Sequence, residues 1–157
     1  MTKFLSTKIV TPLLAGTFIL SLAGSPGAQA QEAFAGTWTI SKADTAPWAS
    51  APPKPDDELK LLMGKTVSFL KTRIDGPRPV RCAKLKYEIK DYTPDMLFQG
   101  TLSADPAKQA AALGFKGETI KTLETGCGNE LDYHMVDANT VLFGLNDRVY
   151  TLARKMP

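Results

Sequence analysis

Apolar and polar side chains alternate with a period of two along much of the chain. The clearest case sets Ala83, Leu85, Tyr87 and Ile89 against Lys84, Lys86, Glu88 and Lys90. That period puts one set of side chains on each face of an extended strand, one face in a core and the other in water. Leu131, Tyr133 and Met135 alternate with Asp132 and His134, Met96 and Phe98 with Leu97 and Gln99, and Val67 and Phe69 flank Ser68. The pattern predicts about eight strands, near 35–41, 65–72, 82–91, 95–102, 118–126, 130–136, 140–145 and 148–154. Asp137-Ala138-Asn139 and Asn146-Asp147 tolerate tight turns and join the last three strands into an antiparallel meander. The expected fold is therefore all-β, an antiparallel meander barrel of about eight strands, the number that closes a small barrel. Its interior is expected to hold Trp38, Phe69, Tyr87, Phe98, Tyr133, Met135 and Phe143.

Two short helices interrupt this pattern. Asp105 caps an Ala-rich helix that begins at Pro106 and ends by Gly114, and Pro55-Asp56-Asp57-Glu58 opens a second that carries Leu59, Leu61 and Leu62. Before the second lies Ala46 to Pro55, where Pro47, Pro52, Pro53 and Pro55 remove ladder donors and stiffen a surface loop around Trp48.

The first 30 residues read differently from the rest. Lys3 and Lys8 precede an uncharged apolar stretch from Ile9 to Leu22, then Ser25-Pro26-Gly27 and Ala28-Gln29-Ala30. This is the order of a cleaved signal peptide, with cleavage expected after Ala30. The apolar stretch is shorter than the roughly 20 residues of a spanning helix. The expected organisation is a signal peptide over 1–30 and a single domain over 31–157. Of the 157 residues, 127 then remain, enough for one hydrophobic core. The leader removes 2 of the 19 basic residues and leaves 17 against 16 acids, so the domain is nearly neutral. Such a balance offers no basic face for nucleic acid. Cys82 and Cys127 both lie in the exported part and are expected to pair.

Gly36-Thr37-Trp38 opens the first strand, and Arg154 ends the last. This pair resembles the calycin-type barrels: lipocalins, avidins, fatty-acid-binding proteins and small bacterial secreted protease inhibitors. The resemblance implies a secreted barrel in which Arg154 lies across the indole of Trp38 and closes one end. Only Gln31 to Ala35 precede Gly36 and the cysteines come late. The N-terminal inhibitory arm of the metalloprotease inhibitors is therefore not carried over.

Candidate chemistry is sparse. His134 is the only histidine, which excludes a multi-histidine metal site, and the alternation puts it on the outward face with Asp132. No Gly-x-Ser-x-Gly turn, Cys-x-x-Cys pair or phosphate-binding glycine loop occurs. No catalytic residue, metal or cofactor is assigned, and the expected protein is not an enzyme. Arg73, Arg78 and Arg81 cluster around Asp75-Gly76-Pro77, where they suit a partner's carboxylates or phosphates, and Trp48 suits an interface anchor.

The expected function is a periplasmic or secreted binding protein that acts through surface loops, for instance as an inhibitor of an exported hydrolase. The alternative is a carrier of a small apolar ligand inside the barrel. The partner is thus an extracytoplasmic protein or a small apolar molecule, with no nucleic acid and no stable membrane insertion. For the compartment, intact-mass analysis of exported protein should find an N-terminus at Gln31. A chain that retains Met1 outside the cytoplasm would overturn the assignment.

Overall fold

A computed structural model describes residues 32–155; the expected signal peptide lies outside them. The eight strands are β1 (Gly36–Thr45), β2 (Thr66–Phe69), β3 (Ile74–Asp75), β4 (Glu88–Tyr92), β5 (Ile120–Glu124), β6 (Asp132–Asp137), β7 (Thr140–Leu145) and β8 (Arg148–Arg154). They form one antiparallel sheet in the order β3-β2-β1-β8-β7-β6-β5-β4, curled into a half-barrel. Every neighbour is consecutive in sequence except β1 and β8. These two pair from Trp38↔Arg154 to Thr45↔Arg148, with a bulge between Ile40 and Lys42.

The concave face holds the main core. Trp38, Ile40, Phe69, Tyr133, Phe143, Tyr150 and Leu152 are all almost fully buried there. Their rings interlock: Phe143 stacks on Tyr150 with centroids 5.1 Å apart, and Tyr133 meets Phe69 edge-on at 4.9 Å. Such aromatic pairs contribute about 0.5–1.5 kcal/mol each beyond the area they bury. The hydroxyls of Tyr133 and Tyr87 are buried with no hydrogen-bond partner among the described residues.

Both ends of β8 are tied by arginine. The Arg154 guanidinium lies 4.1 Å from the centroid of Trp38 and donates to the carbonyls of Ala33, Ala35 and Ala138. The Trp38 indole in turn donates to Phe34 at 2.9 Å. At the opposite end Arg148 bonds Asp56 Oδ2 at 2.7 Å, and the Tyr150 hydroxyl donates to Glu58 Oε1 at 2.9 Å. These bonds hold helix α1 (Asp57–Leu62), which sends Leu62 into the core. Asp56 caps it by accepting from Leu59 N–H.

The sheet edges, β3 and β4, are not paired to each other; the chain between them laces them together. Cys82 exchanges both backbone bonds with Ile74, Leu85 N–H donates to Thr72, and Lys86 N–H donates to Thr125. The Cys82–Cys127 disulfide locks this crossover to the corner after β5. Residues 82–87 are therefore irregular rather than the start of a long strand. Ala83 is exposed, Leu85 buried, and Tyr87 and Ile89 half-buried. The β2–β3 turn is Leu70–Arg73, closed by Leu70 N–H to Arg73 O, and the chain reverses again through Asp75-Gly76-Pro77 to set Cys82 against Ile74.

The strand expected at 95–102 does not form. Pro94–Met96 makes a 3-10 turn, and Phe98, Gln99 and Gly100 follow with φ of 49°, 60° and 76°. Three left-handed residues in succession break the alternation, so Leu97 and Phe98 are both buried while Met96 is exposed. This turn and helix α2 (Pro106–Ala112, capped by Asp105) cover the convex face of the sheet. There they build a second core with Tyr92, Phe115, Ile120, Leu142 and Val149, so Phe98 belongs outside the half-barrel.

The disulfide joins the two edges that the ladder leaves apart, and its loop spans 45 residues. Cys127→Ser is expected to lower unfolding free energy by about 2–4 kcal/mol. An unchanged urea midpoint would show that the backbone lacing of 82–87 holds the edges unaided.

Candidate functional site

The convex face carries a cleft of about 230 Å³ between the Trp48 loop, the left-handed turn and the β5–β6 corner. Its floor is Gly144 on β7. A Cβ built there would lie 3.0 Å from Trp48 Cη2 and 3.1 Å from Phe98 Cδ1. Glycine is thus what lets the two rings settle on the sheet, 5.2 Å apart at an angle of 43°. Trp48 is held from above as well, its Nε1 donating to Asn146 O at 2.8 Å. It is a half-buried wall of the convex cleft rather than a freely exposed anchor. Some loss of packing on removing it is therefore expected.

His134 forms the buried base of the cleft. Its Nε2 accepts from Phe98 N–H at 3.1 Å, so the proton resides on Nδ1, which donates to Thr122 Oγ1 at 2.9 Å. Phe98 meets the imidazole edge-on at 4.6 Å. Burial holds its pKa down to about 3, so it stays neutral. The expected solvated histidine is thus corrected. It does share a face with Asp132, but that face is covered at His134 by the second core, and both ring nitrogens serve to pin the left-handed turn.

Backbone conformation concentrates here. Among the described residues, the non-glycine residues with positive φ are Phe98, Gln99, Glu130 and Asn146. All four line this cleft. Each costs on the order of 1 kcal/mol, and such conformations persist where surrounding structure over-determines them.

Asp132 brings the unusual charge. It pairs in register with Glu124, whose carboxylate accepts from Lys90 Nζ at 2.8 Å and from the Tyr92 hydroxyl at 2.5 Å. Lys90, then Tyr92, hold the Glu124 carboxyl below its usual range. Asp132 has no hydrogen bond or ion pair of its own among the described residues. Burial, reinforced by the Glu124 charge, pushes its carboxyl up to about 6.

The arginines lie elsewhere. Arg73 forks onto Asp75 at 3.1 Å, Arg81 Nε donates to Gly76 O at 3.2 Å, and Arg78 is exposed beside them near β3. They do not line the Trp48 cleft, so the four residues singled out for partner binding do not form one site. Asp132, Gln99, Glu130 and Asn146 were not singled out. The available signal was Gly144, a lone glycine inside the β-rich run Thr140–Leu145, which marks close approach by another group. Among the described residues no group of three His, Cys, Asp or Glu side chains converges as a metal ion requires. No family model, curated protein or solved structure matches the chain.

The raised pKa of Asp132 has a sign that stability measurements can read. The folded state binds this proton more tightly than the unfolded chain, whose ordinary value is 3.8. Stability from this group therefore falls as pH rises from about 4 to about 6, and the full penalty stands above that. Solvent screening at a half-exposed group reduces the penalty to about 1 kcal/mol. Asp132→Asn should accordingly stabilise the fold by about that amount at neutral pH and by almost nothing near pH 4. Urea titrations at the two pH values check this; a destabilised variant at neutral pH contradicts it.

Proposed function

We propose that the chain is an exported, non-enzymatic binding protein that engages a partner protein through the convex cleft beside Trp48. The observation that carries this reading is the convergence of all four strained non-glycine residues, an unpaired carboxylate and a half-buried indole on one concave surface. Backbone strain at non-glycine residues is concentrated there among the described residues. A carrier of an apolar ligand is less well supported. The concave interior is occupied by the chain's own rings, closed at one end by Trp38 and Arg154 and covered by Leu62 of α1.

Periplasmic or secreted placement rests on the leader pattern, with the Cys82–Cys127 bond in keeping with an oxidising compartment. Among the described residues no helix is long and apolar enough to cross a membrane. The partner fits the class of extracytoplasmic proteins, an exported hydrolase to be inhibited being one instance.

Capture of partners from extracytoplasmic extract by the immobilised protein, compared across variants, tests the proposal. Trp48→Ala should weaken capture of a given partner by about tenfold or more, while Arg73→Ala and Arg81→Ala leave it unchanged. Loss in the arginine variants alone would move the site to the β2–β3 turn and overturn the cleft. Turnover of a hydrolase substrate abolished by His134→Ala would overturn the non-enzymatic reading.

A further inference from the structure

We propose that the Trp48 cleft receives an organic cation, a guanidinium or alkylammonium group, presented as a basic side chain of the partner. The inference rests on the cleft being the binding surface and adds what it recognises.

The charge of the cleft is one-sided. Every side-chain nitrogen on its lining already makes one hydrogen bond within the protein. Trp48 Nε1 goes to Asn146 O, Gln99 Nε2 to Glu130 O at 2.6 Å, Asn129 Nδ2 to Pro79 O at 2.9 Å, and Asn146 Nδ2 to Glu58 Oε2 at 2.6 Å. His134 spends its proton on Thr122. What remains on the lining is the second N–H of each primary amide, set against the carboxylates of Asp132 and Glu130 and the amide oxygens of Gln99 and Asn146. No lysine or arginine lines the cleft. An anion would meet two carboxylates and no cation there. A neutral sugar would leave the two carboxylates without a counter-charge. A group with several N–H donors and a positive charge meets what the cleft leaves open.

The walls and the size agree. Trp48 and Phe98 give aromatic surface, over which a cation is attracted by the ring quadrupole. The protein already uses this arrangement once, with Arg154 over Trp38 at 4.1 Å. At about 230 Å³ the cleft falls below the roughly 300 Å³ at which pockets for drug-sized ligands begin, so it suits one side chain rather than a whole cofactor.

The chain has two tryptophans, Trp38 and Trp48, so two indole N–H resonances give a reporter and an internal control. The purified protein is titrated with N-acetyl-arginine amide, N-acetyl-lysine amide and the neutral isostere N-acetyl-citrulline amide. Both cations should shift the Trp48 indole and Gly144 amide signals and leave Trp38 unmoved, with citrulline binding about tenfold more weakly. Asp132→Asn, expected to fold, should weaken arginine binding by about tenfold. Equal affinity for citrulline, a larger response to a neutral sugar, or no shift with any cation would overturn the proposal. A short peptide with a central arginine, run beside agmatine, separates the sources. Tighter binding of the peptide supports a partner's side chain; tighter binding of agmatine overturns that and assigns a free small amine. Partner capture lost in Trp48→Ala but intact in Asp132→Asn would sink the cation while leaving the cleft as the docking surface. Capture intact in Trp48→Ala would sink the cleft.

Discussion

The pairing of β1 with β8 is the constraint on which the rest of this structure depends. It joins the two ends of the domain, and the strand that makes it carries an arginine at each extremity. Arg154 places its planar charge on Trp38 and collects three carbonyls that would otherwise end in water. Arg148, almost wholly buried, does the corresponding work for the Pro/Ala-rich connection by binding Asp56 and the Lys54 carbonyl. Guanidinium suits both places because it stays charged and offers several donors in a fixed plane. The same hairpin tip, Asn146-Asp147, receives Ala46 N–H and the Trp48 indole. One strand thus positions the core, the connection over it and the cleft.

The cleft is where the molecule departs from economy. A neutral histidine with both nitrogens committed holds a left-handed turn that Phe98 and Gln99 would not choose alone. Gly144 gives up a side chain so that two rings can approach the sheet. Asp132 keeps a carboxylate half-buried beside another one. Each feature opposes stability, and together they define one surface, as binding sites held ready before their ligand arrives tend to do.

Much of the sheet was legible in the sequence because the concave face obeys a period of two. Phe69, Tyr133 and Phe143 stand where alternation puts them, Asp56 and Asp105 cap the helices they precede, and the two cysteines are bonded. The convex face was not legible. Alternation says which residues share a face and not what covers it, so His134 reads as outward-facing when a segment from distant sequence lies over it. The left-handed turn was hidden for a related reason. Its conformation is imposed by the His134 acceptor, a contact 36 residues away, and no local preference of Phe98 or Gln99 announces it. Trp48 was singled out from its loop, yet its floor and its polar neighbours come from three other elements.

The position of β8 at the end of the chain also governs when the fold can exist. A polypeptide that emerges N-terminus first, from a ribosome or a translocation channel, has β1, β2 and β3 available early, but β1 then has β2 alone on one side. The strands from β4 to β7 pair only with sequence neighbours, so that meander closes locally and quickly. Within the sheet the two halves cannot pair until Arg148–Arg154 appears, because that strand alone borders both; before then they are linked by the 82–87 crossover and its disulfide. Completion of the chain is therefore the trigger for closure. Until then β1 and β7 each keep one unpaired edge.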